Sequence, residues 1–233
     1  KTAYEMLRSL VGSEMCIRDR DNSLQKETTQ RTIASKRRRN PGRRFPDFSR
    51  TQNMKIKTLS DFNLKNKKVL LRLDLNTEII KGKAQFSQRM KAHLKTINEL
   101  KRKKAITVIL AHQGRPGDED FTSLKSHALL LKVKFIPDIL GKKAIKAITS
   151  LKPGEVLLLE NVRFLKEEFD GTKNNRFVKT LAPFFDIYIN DAFSVSHRTQ
   201  TSVTGFPKVL PCGMGRVMAV SYTHLTLPTI DSV

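Results

Sequence analysis

Apolar and polar residues alternate in blocks along residues 68–189, and each block has the length of a strand or a helix. Short runs rich in Val, Ile and Leu predict buried strands. Between these runs, apolar residues recur every three or four positions, as Met90, Leu94 and Ile97 do, which predicts amphipathic helices. The predicted strands are Lys68–Leu75, Ile106–Ala111, Val133–Ile136, Val156–Leu159 and Phe185–Ile189. The predicted helices are Gln88–Lys103, Phe121–Leu131, Ile139–Thr149 and Asn174–Leu181.

This order of elements predicts the fold class. Strands that alternate with helical segments are typical of βαβ units, whose strands lie parallel in one sheet. We therefore expect an α/β fold, a three-layer, Rossmann-like and mostly parallel sheet with helices on both faces. A hairpin-like segment, residues 76–86, follows the first strand and precedes the first helix.

The folded domain is predicted to span residues 54–218 and to be flanked by unrelated sequence. Residues 21–53 are polar and basic, and the alternating apolar texture begins only after them. Residues 1–20 and 219–233 show no periodicity that continues into the domain, and both resemble translated sequencing-adapter sequence. We therefore expect residues 1–53 to be a non-native or disordered basic leader and residues 219–233 to be a non-native tail.

The 233-residue chain carries a formal net charge of +22 at pH 7, which narrows the set of partners. Such an excess favours phosphorylated metabolites, nucleic acid or an acidic membrane surface. No apolar run approaches the length of a membrane span, so we expect no membrane partner. Cys16 and Cys212 lie far apart in the sequence. They fit neither a disulfide framework nor a zinc site, and they favour a reducing compartment.

Polar and cationic residues follow the predicted strands where ligands bind in open α/β sheets, outside the carboxyl ends of the strands. A single arginine there is usually solvated or part of an ion pair, and a single histidine can belong to the core. Several arginines on one rim repel one another unless an anion lies between them, and guanidinium binds phosphate or carboxylate through two hydrogen bonds. The sequence therefore predicts an anion site near Asp74, Asn76, Arg89, His112, Arg115, Arg163, Asn190, Asp191, His197 and Arg198.

Common catalytic motifs are missing from the sequence. Neither GxGxxG nor GxxxxGK(S/T), the usual phosphate loops, follows a predicted strand, and neither GxSxG nor HExxH occurs. The acidic residues are too scattered for a glycosidase pair. The predicted anion site therefore depends on arginine side chains rather than on a glycine-rich loop.

Five segments, in this order along the chain, resemble the amino-terminal domain of the phosphoglycerate kinase family. The resemblance covers about residues 54–218. The chain departs from the family pattern in three places. Gln113 and Arg216 stand where an apolar residue is usual, and Ser194-Val195-Ser196 replaces a commoner Gly-Thr-Ala. We expect Gln113 to alter packing rather than binding. The segments are RLDLN (Arg72–Asn76), QRMKA (Gln88–Ala92), HQGRP (His112–Pro116), LLENVRF (Leu158–Phe164) and NDAFSVSHR (Asn190–Arg198).

The resemblance implies a role for each matching residue. This domain of the family binds 3-phosphoglycerate or 1,3-bisphosphoglycerate in a basic patch. Asp74 and Asn76 would contact the hydroxyl and carboxyl region of the substrate, and His112 would help to hold that end. One catalytic residue, Arg89, would lie nearest the transferred phosphoryl group. The non-transferred phosphate would be held by Arg115, Arg163 and Arg198.

The resemblance also implies an activity, reversible phosphoryl transfer between 1,3-bisphosphoglycerate and ADP in glycolysis. A phosphotransferase of this family uses a carboxyl group as acceptor. Its Mg²⁺ and ATP or ADP bind to a second domain, so we expect no cofactor or metal site in this chain. We expect a cytoplasmic monomer, and we expect this piece to be inactive by itself.

Two alternatives come from other functional classes. A non-catalytic domain that binds anionic metabolites would show the same motifs. A basic RNA-binding protein could act through residues 36–44 and the positive charge of the domain. Against RNA, the predicted arginines surround one pocket and lack stacking aromatic residues, so we expect no nucleic-acid partner.

Overall fold

The computed structural model describes residues 56–170 and 174–226, and the predicted leader with its basic segment 36–44 lies outside them. Strands and helices alternate as the hydrophobic pattern predicts, with small differences at their ends. The strands are β1 (Lys68–Arg72), β2 (Ile79–Ile80), β3 (Lys83–Ala84), β4 (Ile106–Leu110), β5 (Lys134–Phe135), β6 (Val156–Leu158), β7 (Ile187–Asn190) and β8 (Cys212–Met214). The helices are α1 (Gln88–Arg102), α2 (Lys125–Leu131), α3 (Lys142–Ser150), α4 (Arg176–Leu181) and α5 (Arg216–Thr226).

Six strands form one sheet in the order β5-β6-β4-β1-β7-β8, and all its pairings are parallel. A strand in the middle of such a sheet is covered on both faces and must be apolar on both. β1 meets this requirement, because Val69, Leu70 and Leu71 are fully buried. β2 and β3 form a separate antiparallel hairpin. The predicted α/β fold is confirmed.

Successive residues of a strand point to opposite faces, so the sheet has a core on each side. On one side, Leu71 of β1 belongs to a cluster with Ile97 of α1. On the other side, Leu70 belongs to a cluster with Ile148 of α3 and Phe177 of α4. Helices therefore cover both faces of the sheet, which gives the three layers that the sequence predicts.

Two elements at the carboxyl end, β8 and α5, are absent from the predicted set. Arg216, the first residue of α5, makes two hydrogen bonds with the Glu99 carboxylate of α1. The Nε atom lies 2.6 Å from Oε2, and Nη2 lies 2.7 Å from Oε1. A charged residue thus fastens α5 at a position where the resemblance expects an apolar one. α5 continues beyond Met218, and the predicted domain boundaries at residues 54 and 218 stay predictions.

Within the part of the chain that the structure describes, no helix is long and apolar enough to cross a membrane.

Candidate functional site

The candidate residues come together because the strands before them are neighbours in the sheet. β6, β4, β1 and β7 are adjacent and parallel, so their carboxyl ends meet at one edge. The segment after β1 carries Asp74 and Asn76, and the segment after β4 carries His112 and Arg115. The segments after β6 and β7 carry Arg163 and Arg198 at the same edge.

Asp74 holds the guanidinium group of Arg89. Asp74 is 3% exposed, and Arg89 Nη1 donates to its Oδ2 atom at 2.7 Å. The Ser194 hydroxyl also donates to Oδ2, and the Asn76 amide donates to Oδ1 at 3.1 Å. Arg89 is the second residue of α1, and its side chain is 47% exposed. The pair therefore presents a fixed but accessible positive charge at the edge of the site.

Gly114 is the point at which three of the segments meet. Its amide donates to Asn76 Oδ1 at 2.9 Å, and its carbonyl accepts a hydrogen bond from Arg163 Nη1. Its φ of +64° lies in the left-handed region, and a Cβ atom there would lie 2.5 Å from the Phe121 amide nitrogen. Only glycine fits this position without displacing the backbone. The backbone of Gly114 thus links Asn76 to Arg163.

His112 lies buried among arginine side chains. Arg72 Nη2 lies 3.0 Å from His112 Nδ1, and since arginine can only donate, Nδ1 accepts and the proton is on Nε2. Burial, followed by the positive charges of Arg72, Arg163 and Arg198, holds the pKa of His112 far below its usual range. His112 is therefore a neutral donor at Nε2 and adds no positive charge to the site.

Arg163 and Arg198 lie close enough for the charge of one to act on the other. Arg163 is 6% exposed, and burial, followed by the charges of Arg198 and Arg72, lowers its pKa to about 10. The Nε atom of Arg198 is buried and has no hydrogen-bond partner in the structure. An unsatisfied buried donor costs on the order of 1–3 kcal/mol, and a bound anion would supply the missing acceptor. Arg115 is exposed at the rim, and its charge also acts on Arg163.

Sequence reasoning missed Arg72, which is fully buried at the end of β1. Its Nε donates to Ser202 Oγ at 2.8 Å, and Ser202 Oγ donates in turn to Glu168 Oε1 at 2.5 Å. Burial raises the pKa of Glu168 to about 7, against the opposing charge of Arg72. An arginine directly after three buried apolar residues is a signal that could have identified Arg72. Ser202 and Glu168 carry no comparable signal.

Asp191 and His197 do not join the arginine cluster. Asp191 is fully buried, and its carboxylate accepts from Thr96 Oγ1 at 2.6 Å and from the Met218 amide at 3.0 Å. It therefore fastens α5 to α1. His197 is exposed, and Asn190 uses its side-chain oxygen to accept from the Ala192 amide at 3.0 Å.

Taken together, a parallel α/β sheet and an arginine cluster at the carboxyl ends of its strands define a class of protein. Such a domain offers several guanidinium groups and a neutral imidazole donor to a small anion, and it can stabilise charge that develops there. This class is an α/β domain with a cationic pocket at the edge of its sheet.

Comparisons with known proteins narrow this class to one family. The family model described as "Phosphoglycerate kinase" matches residues 59–228. The phosphoglycerate kinase of Methanopyrus kandleri is 47% identical over 173 residues, which cover 70% of this chain and 43% of the relative. That of Sulfolobus acidocaldarius is 43% identical over 190 residues, which cover 76% of this chain and 46% of the relative.

A solved structure agrees with the sequence comparisons. The crystal structure of phosphoglycerate kinase from Pyrococcus horikoshii OT3 has a TM-score of 0.71 and 39% identity, and the match covers 75% of this chain and 46% of that chain. The chain belongs to the phosphoglycerate kinase family. It spans less than half the length of the curated relatives named above.

Proposed function

We propose that this chain forms the phosphoglycerate-binding part of a phosphoglycerate kinase. The complete enzyme would transfer a phosphoryl group reversibly between 1,3-bisphosphoglycerate and ADP, as a cytoplasmic, monomeric enzyme of glycolysis. The observation that carries this proposal is the buried, unpartnered Nε of Arg198 beside the nearly buried Arg163. An anion with several oxygen acceptors, such as a phosphate, satisfies both groups at once.

The other candidate residues take roles that fit their surroundings. Arg115 would add a third cation to the non-transferred phosphate from the rim. His112 would donate from Nε2, and Asn76 and Asp74 would contact the hydroxyl and carboxyl end of the substrate. Arg89, held by Asp74 and partly exposed, would meet the transferred phosphoryl group and neutralise its charge. Phosphoryl transfer depends mainly on such positioning and charge neutralisation.

The Mg²⁺ that the family implies finds no set of ligands among the described residues. Within residues 56–170 and 174–226, no group of three or more acidic, histidine or cysteine side chains is placed to hold a metal ion. No step is therefore assigned to a metal bound by this part of the chain. We expect the 233-residue chain alone to show no ATP-dependent turnover.

Calorimetric titration with 3-phosphoglycerate tests the proposed site. We expect saturable binding by the wild-type chain and a roughly 10–100-fold loss of affinity in Arg163→Ala, since charge-assisted hydrogen bonds contribute about 1.5–3 kcal/mol. Arg102→Ala is the matched control, because Arg102 is exposed near the end of α1 and the change removes the same charge. Equal affinity in Arg163→Ala and the wild type would rule out the phosphate assignment.

A further inference from the structure

The side-chain amide of Gln113 is fully buried between segments that carry candidate site residues. Its Oε1 accepts from the Thr77 amide at 2.9 Å, and its Nε2 donates to the Thr77 carbonyl at 2.9 Å. This pair of bonds fixes which end of the amide is oxygen. Gln113 therefore binds both the amide and the carbonyl of Thr77, the residue directly after Asn76, as a neighbouring β-strand would.

The same amide is anchored to the helix layer and to the following loop. Its Oε1 lies 3.1 Å from Nε2 of His127 in α2, and since the oxygen can only accept, His127 donates. Its Nε2 also donates to Asp120 Oδ2 at 3.2 Å. Four hydrogen bonds thus converge on one buried side chain, which leaves it little freedom to move.

The backbone of Gln113 extends the connection to the segment after β6. Asn161 Nδ2 donates to the Gln113 carbonyl at 2.8 Å, and the Gln113 amide lies 3.4 Å from Asn161 Oδ1. That oxygen also accepts from the Arg163 amide at 3.1 Å. One residue therefore joins the segments after β1, β4 and β6 at the point where they enter the site.

We propose that Gln113 is a positioning residue, which holds the segments of Asn76, His112 and Arg163 in their binding geometry before the substrate arrives. This inference rests on the proposed function, because its readout is 3-phosphoglycerate binding. The sequence leads us to expect only that Gln113 alters packing, and the proposed role in binding goes beyond that expectation. A site whose loops are already ordered loses less conformational entropy on binding, so its affinity is higher.

Gln113→Met tests the role, because methionine keeps the length of the side chain and removes all four hydrogen bonds. We expect the Kd for 3-phosphoglycerate to rise about tenfold or more. Asp138→Ala is the control for lost stability. The Asp138 carboxylate accepts from the amides of Ile139, Gly141 and Ala144 at the start of α3, so these side-chain hydrogen bonds lie outside the three segments. The backbone carbonyl of Asp138, which accepts from the Glu160 amide at 3.4 Å, is kept in the alanine variant. We expect that variant to lower the denaturation midpoint while its affinity stays at the wild-type value.

Wild-type affinity in a folded Gln113→Met variant would overturn the proposal, and so would an equal loss of affinity in Asp138→Ala. If Gln113→Met does not fold, amide exchange in the wild-type protein decides instead. We expect the Thr77 amide to be protected without ligand, and fast exchange would overturn the proposal. Absence of 3-phosphoglycerate binding by the wild type would contradict the proposed function, whereas Thr77 protection reports on the Gln113 contacts alone.

Discussion

Arg72 follows three buried apolar residues of β1, and its charge is tolerated because each of its nitrogen atoms has a partner. Nε donates to Ser202, Nη1 to the Leu73 carbonyl and Nη2 to His112. A buried guanidinium without such partners would cost several kcal/mol. The arginine itself is visible in the sequence. Its pairing with Ser202, 130 positions away, depends on the tertiary fold and cannot be predicted from local pattern.

The shared location of the residues after β1, β4, β6 and β7 could be predicted from the sequence, whereas their hydrogen bonds could not. In a parallel sheet the topology alone decides which strand ends meet, so the common location of Asp74, His112, Arg163 and Arg198 follows from strand order. The role of Gln113 was not predictable in this way. Its hydrogen bonds depend on the positions of Thr77 and His127, which only packing determines.

His112 provides a prediction at the residue scale. Because burial and the neighbouring guanidinium groups hold its pKa far below its usual range, the ring should stay neutral from pH 8 to pH 5. We therefore expect the His112 ring resonances in NMR spectra to show no titration over this range. A resonance assigned to His112 that titrates with a midpoint near ~6.5, the ordinary value, would contradict the buried geometry of the site.

At the scale of elements, the central strands were predicted because their apolar runs reflect burial on both faces. β8 and the turn that follows it were not predicted, because their glycines are required by close contacts with residues that are distant in the sequence. A Cβ atom at Gly215 would lie 2.3 Å from the Asp191 Oδ1 atom. A Cβ atom at Gly213 would lie 2.6 Å from Phe62 Cε2. Such close approaches leave no periodic pattern in the sequence.

The contact between α1 and α5 gives the prediction at this scale. The hydrogen bonds from Arg216, with a smaller contribution from Lys103, lower the pKa of Glu99 to about 2, against burial. A carboxyl group whose pKa is lower in the folded than in the unfolded protein stabilises the fold at pH values above its unfolded pKa of about 4.5. This contribution is lost as the pH falls towards 2. We expect Glu99→Gln to lower the free energy of unfolding by about 1–2 kcal/mol at pH 6.

Chemical denaturation at pH 6 and at pH 3 measures this effect. The difference in the free energy of unfolding between wild type and Glu99→Gln should be smaller at pH 3, because part of the stabilisation from the ionised Glu99 carboxylate is lost there. Glu119→Gln serves as control because Glu119 is exposed. A difference that stays constant or grows as the pH falls would show that the Arg216–Glu99 pair does not stabilise the fold.

At the scale of the whole molecule, the net charge of +22 indicates an anionic partner but does not identify it. The fold adds a location, since it gathers arginine side chains at one edge of a parallel sheet. Family membership suggests the class of substrate. This substrate is a proposal, because the chain spans less than half the length of the relatives named above. Neither charge nor fold alone would distinguish a phosphoglycerate from another small phosphate.

The most direct test of the central claim maps where 3-phosphoglycerate binds the isotopically labelled chain, by following backbone amide NMR shifts at constant ionic strength. We predict saturable changes at Asn76, Gly114, Arg163 and Arg198, with no comparable changes along the lysine-bearing helix Lys142–Ser150. Changes confined to that helix, or shifts that never saturate, would contradict the claim that the arginine cluster is the substrate site.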